Sequence, residues 1–372
     1  MPRMRQHITH DPAYETVDAD DFASMIAVPR YARRSDAFDA IISATHDHFW
    51  DPFDARYLDF DAPFDLAGDT VLPRDQVIEL QSAVADRLDE GQQIALANEV
   101  ARWNLSAVLH GEQGALSLSA SLCDILLDPG AQEYAANQTR EEARHVAAFS
   151  RYIAVRWGTP YPVGAAFGTL LADLVSTPEV YKKLVGMQML IEGLAMGTFA
   201  SLHASARDPL LRRLVQFVMT DEAFHHKFGR IWAARTVPQL TPAEHERVED
   251  WAAACFETLL FNLNNIRQKQ VIYARFGLDW EWVRAACREI FSETDRRHAL
   301  TLPTNVFRVL VKTLVMAGIV TERTRHIYAA WIDIDGLEAE GGAMIGDAIA
   351  AEGIEALRTI NSGRRRFGPA LA

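Results

Sequence analysis

Glu142-Ala143-Arg144-His145 and Glu222-Ala223-Phe224-His225 are two Glu-x-x-His stretches that lie 80 positions apart. A lone glutamate precedes each stretch by 30 residues, Glu112 before the first and Glu192 before the second. The second set is therefore the first set moved along the chain by one constant offset. Such a repeat predicts two structurally equivalent halves that carry the same side chains.

A turn signal repeats with the same offset. Asp128-Pro129 and Asp208-Pro209 are also 80 positions apart, and each lies near the middle of its Glu…Glu interval. Proline is favoured at the first position of a helix, so each pair marks the start of a new helix after a break. If the chain folds back there, the two glutamates of each interval meet roughly 22 Å from the turn, at 1.5 Å per residue. Two such hairpins packed together would gather four carboxylates and two imidazoles.

This set of side chains suits a pair of metal ions. Positions i and i+3 share one face of a helix, so each Glu-x-x-His can offer a carboxylate and an imidazole together. Four carboxylates offset the charge of two divalent ions, and mixed oxygen and nitrogen ligands favour iron or manganese. The predicted ligands are Glu112, Glu142, His145, Glu192, Glu222 and His225.

The alternative interpretation is a metal-free helical scaffold, because a single Glu-x-x-His is a weak signal. The surroundings of the two lone glutamates argue against it, since an unpaired buried carboxylate costs several kcal/mol. Metal ligation would offset that cost. The apolar neighbours are Val108, Leu109 and Leu116 around Glu112, and Met189, Ala195, Met196 and Phe199 around Glu192.

The whole chain is expected to be all-α, because alternation at strand spacing is nearly absent. Three regions are predicted: an irregular, proline-punctuated N-terminal arm (1–70), the metal-binding bundle (71–240) and C-terminal helices packed on it (241–372). The expected helices are 75–127 with a break near Gly91, 132–157, 178–206, 209–234, 241–276, 279–296, 304–317, 321–333 and 342–359.

Composition narrows the functional classes. The chain has 372 residues, of which 49% are hydrophobic and 23% charged, as in a soluble globular protein. A net charge of −13 disfavours nucleic acid as a partner. No apolar run reaches the length of a membrane span and no signal core is visible, so we expect no membrane partner and a cytoplasmic location. The cysteines are expected to be buried free thiols, and Arg364-Arg365-Arg366 a solvated end.

The motifs resemble the ferritin-like carboxylate-bridged diiron superfamily, in which two helices give one glutamate each and two give Glu-x-x-His. The resemblance covers roughly 90–235 and is sharpest at 141–145, 191–193 and 221–229. Within the superfamily the motifs are most similar to the ribonucleotide-reductase small-subunit group and its oxidase relatives. The resemblance implies a ferritin-like four-helix bundle core with additional C-terminal helices, two iron ions (or one manganese and one iron) and O₂ as co-substrate.

The same resemblance implies partners for the histidine ligands. The acid before each Glu-x-x-His would orient the histidine of the other hairpin, which pairs Asp221 with His145 and Glu141 with His225. Such a carboxylate fixes the histidine tautomer and raises its basicity. Arg144 would hold one of these carboxylates in place. Tyr152 and Thr198 are expected near the centre, and His110 and His203 are weaker candidates for roles beside the ligands. His226 is expected at the surface or beside the ligands, and His46-Asp47-His48 in the arm is a weak candidate for ligating a metal.

The implied function is an O₂-activating non-haem diiron oxidase or monooxygenase that acts on a hydrophobic small molecule or acyl chain. Desaturation or N-oxygenation by the same centre is one alternative, and a radical-generating subunit of a ribonucleotide-reductase-like complex is another. Phe149 stands where the reductase subunits commonly carry a radical tyrosine, and the tail 366–372 has no tyrosine for radical transfer to a partner. The two features together disfavour the radical-generating alternative. A separate reductase or ferredoxin would supply electrons, and a homodimer is implied by the family alone.

Overall fold

The protein is described by a computed structural model that covers residues 8, 10–46, 48–290, 305–342, 344 and 346–362. Within these residues the regular structure is helical, and the only paired extended residues are Thr16 and Leu126 in an isolated antiparallel bridge. The prediction of an all-α protein is confirmed. The basic run 364–366 lies outside the described residues.

The α-helices are numbered here in chain order. They are α1 (Phe22–Met25), α2 (Val28–Tyr31), α3 (Asp39–Thr45), α4 (Ile78–Gln81), α5 (Glu90–Ile125), α6 (Pro129–Trp157), α7 (Ala165–Ser176), α8 (Val180–Lys183), α9 (Glu192–Ser205), α10 (Pro209–Thr236), α11 (Pro242–Asn264), α12 (Gln270–Arg275), α13 (Trp280–Glu289), α14 (Phe307–Met316), α15 (Arg325–Ala329), α16 (Ile334–Ala339) and α17 (Gly346–Ser362). A π-helix (Leu184–Ile191) joins α8 to α9, and short 3₁₀ helices occupy Pro12–Tyr14, Arg74–Gln76, Ala85–Arg87, Val237–Gln239 and Ile266–Lys269.

The long helices begin where local chemistry favours a start. Asp128 accepts a hydrogen bond from the backbone N–H of Ala131 (2.8 Å), and Asp208 accepts one from Leu210 (2.9 Å). In both places proline follows the capping aspartate, so the two turn signals of the sequence do open helices, α6 and α10. Thr241 and Glu244 form a capping box at the start of α11.

Two helical hairpins form the centre of the molecule. The short link 126–128 joins α5 to α6, and these two helices pack along each other. The π-helix and α9 pack in the same manner along α10, and α6 also contacts α10. Outer helices cover this centre: α7 lies on α5, α14 on α9, and α17 on α10. The arrangement turns one face of α5, α6, α9 and α10 inward.

Several helix bounds differ from expectation. The segment 178–206 is not one regular α-helix, because Leu184–Ile191 adopts the wider π geometry immediately before Glu192. Helix α7 was not predicted at all. Helix α11 stops at Asn264 instead of reaching 276, since Asn265 leaves the helical region (φ −85°, ψ 87°). The expected helices 279–296 and 304–317 are described only up to 290 and from 305.

One helix needs comment as a membrane candidate. Val180–Ser205 is long and apolar enough to span a bilayer (mean hydropathy 1.2), but 78% of that window is buried inside the protein. It also carries the buried Glu192 at its middle. The segment therefore fits the core helix of a soluble protein. Of the three cysteines, all unbridged, Cys255 and Cys287 are buried and Cys123 is only half-buried.

Glycine allows α14 to approach the helix that carries Glu192. A Cβ added at Gly193 would lie 2.8 Å from the Leu310 Cα, a contact that requires backbone movement. We expect Gly193→Ala to lower the free energy of unfolding by about 1–3 kcal/mol, the usual cost of overpacking. Urea denaturation of the purified protein measures this change.

Gly111 is the matched control, because it also adjoins a lone glutamate and lies within a helix. Its added Cβ would meet only Phe167, at an ordinary 3.7 Å. Gly111→Ala should therefore be neutral or stabilising by up to roughly 1 kcal/mol, through helix propensity. Equal effects of the two substitutions would contradict the close packing of α14 on α9.

Candidate dinuclear metal site

The structure brings all six predicted ligand residues into one buried cluster at the centre of the two hairpins. Their exposed fractions are at most 5%. The side chains fall into two groups, and the potential ligand atoms of each group lie within 4.8 Å of one another. The first group is Glu112, Glu142, His145 and Glu222, and the second is Glu142, Glu192, Glu222 and His225.

Glu142 and Glu222 belong to both groups. Nδ1 of His145 lies 3.2 Å from Glu142 Oε2 and 3.1 Å from Glu222 Oε1. Nδ1 of His225 lies 3.0 Å from Glu142 Oε1 and 3.2 Å from Glu222 Oε2. Each of these carboxylates thus directs one oxygen toward each histidine, which is the arrangement of a bridging ligand. Glu112 and Glu192 each lie at one side only.

Two oxygen atoms at the centre accept no well-directed hydrogen bond, although His145 Nδ1 lies 3.2 Å from one and 3.1 Å from the other. Glu142 Oε2 and Glu222 Oε1 are buried, and neither makes a hydrogen bond within the described part of the chain. Buried carboxylate oxygens without a partner are costly, and a cation between them removes the cost. Together with two inward-facing imidazole nitrogens, they form a donor set that fits two metal ions.

The outer nitrogen of each histidine is held by a carboxylate of the other hairpin. His145 Nε2 donates to Asp221 Oδ2 and His225 Nε2 donates to Glu141 Oε2, both at 2.9 Å. These are the pairings that the family resemblance implies. They turn Nδ1 of both rings toward the carboxylates at the centre, and they raise the basicity of each ring as a ligand.

The two orienting carboxylates have unequal surroundings. Asp221 Oδ2 also accepts hydrogen bonds from Arg144 Nη2 (2.7 Å) and from the Trp50 indole N–H (2.9 Å). His48 Nε2 lies 3.3 Å from its other oxygen. Among the described residues, only His225 hydrogen-bonds to the Glu141 carboxylate. Within the described part of the chain, a hydrogen bond from Trp50 ties the His145 half of the site to the N-terminal arm, whereas His48 of the arm lies within 4.8 Å of the Glu141 carboxylate without bonding to it.

Three contributors were missed by the sequence analysis. Trp50 belongs to the arm, far from the motifs in sequence, and no pattern marks it. Gln138 lies one helical turn before Glu142, on the same face, and could have been found by that spacing. Its amide donates to Glu142 Oε1 (3.1 Å) and Glu192 Oε1 (3.2 Å), and Gln188 in turn donates to Gln138 (2.9 Å).

The weaker candidates lie in several places. Tyr152 is turned away from the cluster, with its hydroxyl donating to Asp208 Oδ2 (2.8 Å). His110 contacts the Tyr161 carbonyl (2.8 Å). His226 is buried, not at the surface, and contacts the Thr313 hydroxyl (2.6 Å). The half-buried His203 belongs to neither group of ligand atoms.

A cavity of about 680 Å³ reaches the cluster from one side. Glu112 and Glu192 are the acidic residues in its wall, and the side chains around them are small or apolar. Thr198, one of the residues expected near the centre, also lines it. Lining residues close to the two glutamates in sequence include Ala107, Val108, Gly111, Ala115, Ala195 and Phe199. Ligands of small-molecule size occupy cavities of this volume.

Protons balance the charges of the cluster when no metal is bound. Burial raises the pKa of Glu112 to about 8. Burial, together with the charge of Glu222, raises the pKa of Glu192 well above its usual value. Burial would lower the pKa of both histidines, but the surrounding carboxylates outweigh it and raise the pKa of His145 and His225.

The remaining two glutamates stay ionised. Burial would raise their pKa, but the charge of His225 outweighs it, and the pKa values of Glu142 and Glu222 are lowered. At pH 7 two imidazolium ions then face two carboxylates, and Glu112 and Glu192 carry protons, so the cluster is neutral. Two divalent ions with four ionised carboxylates and two neutral imidazoles are neutral as well. Binding of two divalent ions therefore replaces four protons of the metal-free cluster.

We expect uptake of two Mn²⁺ ions at pH 7 to release close to four protons, one from each histidine and one each from Glu112 and Glu192. Because these groups must lose protons to bind metal, the affinity should rise with pH until the last of them is ionised. Anaerobic calorimetric titrations in buffers of different ionisation enthalpy measure the released protons. Metal uptake with no proton release would contradict this charge balance.

In comparisons with known proteins, no protein-family model and no curated protein matches the chain. The function is therefore inferred from the geometry of the site.

Proposed function

We propose that this protein is an O₂-activating non-haem diiron oxidoreductase, an oxidase or monooxygenase that acts on a hydrophobic small molecule or acyl chain. The proposal includes a ferritin-like four-helix core formed by the two central hairpins. The observation that carries it is the cavity: an apolar space of about 680 Å³ that ends at Glu112 and Glu192, one carboxylate from each ligand group.

The ligand set supports two iron ions, or one manganese and one iron ion. It contains four carboxylates and two imidazoles, and the three cysteines belong to neither group. A metal pair held by these residues would supply O₂ activation for hydroxylation of a C–H bond, a reaction that consumes two electrons from a donor and two protons and yields one water.

The chain's own residues position and protect that chemistry. Asp221 and Glu141 hold the two histidine rings so that each Nδ1 faces the centre. Gln138 bridges Glu142 and Glu192 with its amide and so restricts the movement of both carboxylates. The apolar wall of the cavity excludes water and holds a hydrophobic substrate beside the centre.

The partners follow from the same proposal. The substrate is a hydrophobic molecule, and electrons come from a separate reductase or ferredoxin, because the sequence contains no glycine-rich nucleotide or flavin motif. We place the protein in the cytoplasm, without a nucleic-acid or membrane partner. A homodimer is proposed from the family resemblance alone.

One observation favours the radical-generating alternative. The Trp50 indole N–H and the His145 Nε2–H both bond to Asp221 Oδ2, at 2.9 Å each, which forms a continuous path from an oxidisable ring to the centre. The path would serve electron transfer to or from a larger partner. A persistent radical after exposure of the iron-loaded protein to O₂, lost in Trp50→Phe, would favour this alternative over substrate oxidation.

The main proposal predicts that the iron-loaded, chemically reduced protein consumes O₂ and hydroxylates neutral apolar probes such as ethylbenzene. Filling the cavity with Ala195→Phe should lower product formation by roughly tenfold or more, because the probe can no longer reach the centre. The metal content of this variant should be unchanged. Product is measured by mass spectrometry beside O₂ uptake.

The matched control is Ala234→Phe, the same substitution at an exposed position of α10 outside the cavity. It should behave as the unaltered protein. Failure of the iron-loaded protein to consume O₂ would reject the oxygenase proposal. Equal product formation by the two variants would show that oxidation does not take place in this cavity.

A further inference from the structure

The wall of the cavity contains a buried amide with an unused hydrogen-bonding group. Asn262, on α11, is only 5% exposed. Its Oδ1 accepts from Gln268 Nε2 (3.2 Å), whereas its Nδ2 has no acceptor among the described residues. If both amides were turned over, the same pair would still bond and the other atom of Asn262 would be free. In either orientation one polar atom of Asn262 remains for a ligand.

The other neutral polar residues of the wall do not share this property. Gln76 and Asn104 are exposed, and Thr198, Ser201 and Ser205 are partly exposed, so water can satisfy them. Among the described lining residues, Asn262 is the one neutral polar side chain that is buried. A ligand that replaces water at its free amide atom forms its hydrogen bond in less polar surroundings, where such a bond is stronger.

The charge of the wall excludes one class of ligand. Among the described residues of the lining, the charged ones are Glu112 and Glu192, and none is a lysine, arginine or histidine. The two metal ions of the proposed function are already balanced by four carboxylates. A carboxylate or phosphate group bound at Asn262 would therefore lose its hydration without gaining a cationic side chain, which is strongly unfavourable. A neutral carbonyl, amide or hydroxyl needs only a hydrogen bond, and Asn262 can supply one.

The cavity opens beside this residue. Leu263 lines the cavity and is 38% exposed, and its neighbour Phe261 is 62% exposed. An apolar ligand can therefore enter along α11 and meet Asn262 while the remainder of its surface contacts apolar wall.

We infer that Asn262 determines substrate specificity by binding the single polar group of an uncharged substrate, a carbonyl, amide or hydroxyl on an otherwise apolar frame. The inference rests on the proposed function, which it narrows: free fatty acids and phosphorylated lipids are excluded, and neutral amides, ketones or alcohols are accepted.

The test is anaerobic calorimetric titration of the iron-loaded full chain with octanamide and octanoate at pH 7.5. Octanamide should bind at least roughly tenfold more tightly than octanoate. Asn262→Leu should weaken octanamide binding by roughly tenfold or more and leave octanoate unchanged, because sites built for a hydrogen bond discriminate strongly when it is lost. Gln113→Leu, which removes an exposed amide of α5 outside the cavity lining, is the control and should change neither affinity.

A second variant guards against misfolding of the first. Asn262→Asp keeps the shape of the side chain and adds a negative charge, so it should bind octylammonium more tightly than octanamide. The inference is overturned if octanoate binds as tightly as octanamide, if no probe binds, or if neither substitution changes the preference. Iron content and O₂ consumption are measured on the same preparation. When those two are normal and the preference is absent, this inference alone fails and the proposed function stands.

Discussion

Glu142→Ala and Glu222→Ala are each expected to lose both metal ions, whereas Glu112→Ala and Glu192→Ala are expected to lose most of one. The reason is geometric, because the first two carboxylates direct an oxygen toward each histidine and the last two lie at one side only. Removing a shared ligand lowers the metal affinity of both metal positions. The loss should be at least roughly 10–100-fold, which is the usual effect of removing a residue that only hydrogen-bonds to a ligand.

Elemental analysis of the unaltered protein and the four variants, after anaerobic loading with iron, measures this difference. Glu133→Ala is the control, since Glu133 lies on the same helix as Glu142 but its side chain is 50% exposed and pairs with Arg34. It should retain the full metal content. Equal losses in all four ligand variants would contradict the assignment of Glu142 and Glu222 as bridges.

Asp221→Asn is expected to destabilise the metal-free protein by about 3–5 kcal/mol, because it leaves the buried Arg144 charge without its partner. It also replaces the acceptor of His145 and Trp50. The metal affinity should fall by roughly 10–100-fold. Urea denaturation of the metal-free protein and metal titration of the folded protein measure the two effects separately.

Glu141→Gln is the matched substitution on the other hairpin, and no arginine bonds to Glu141 within the described residues. It should weaken metal binding to a similar degree but cost much less in folding. The double variant Asp221→Asn/Arg144→Met should recover part of the lost stability, because the unpaired charge is removed. Equal destabilisation by Asp221→Asn and Glu141→Gln would show that the Arg144 pair does not stabilise the site.

The sequence was sufficient to predict that the six side chains lie together. In a helical hairpin, the number of residues between a side chain and the turn fixes its position along the helix axis. A glutamate 30 residues before a Glu-x-x-His, with Asp-Pro near the middle, leaves little freedom in the register of the two helices. The cross-hairpin contacts of Asp221 and Glu141 were implied by the family resemblance, and both are present in the structure. What these residues bind stays a prediction.

Other features were beyond sequence reasoning for physical reasons. Trp50 reaches Asp221 from an arm whose path depends on packing of short helices, so no local periodicity marks it. The π-helix Leu184–Ile191 is a uniformly apolar run that also fits an α-helix. Helix α7 was overlooked because it is short and lies between Gly164 and Pro178. The cavity depends on small residues from α5 and α9 together, which no single segment displays.

The central claim is that the buried cluster holds two metal ions, and one measurement tests it most directly. The protein is reconstituted anaerobically with iron, or with manganese and iron, and its metal content is determined by elemental analysis beside Glu142→Ala and Glu222→Ala. We predict about two ions per chain in the unaltered protein and a large loss in both variants. Zinc alone, or no metal in a protein that folds normally, would contradict the claim.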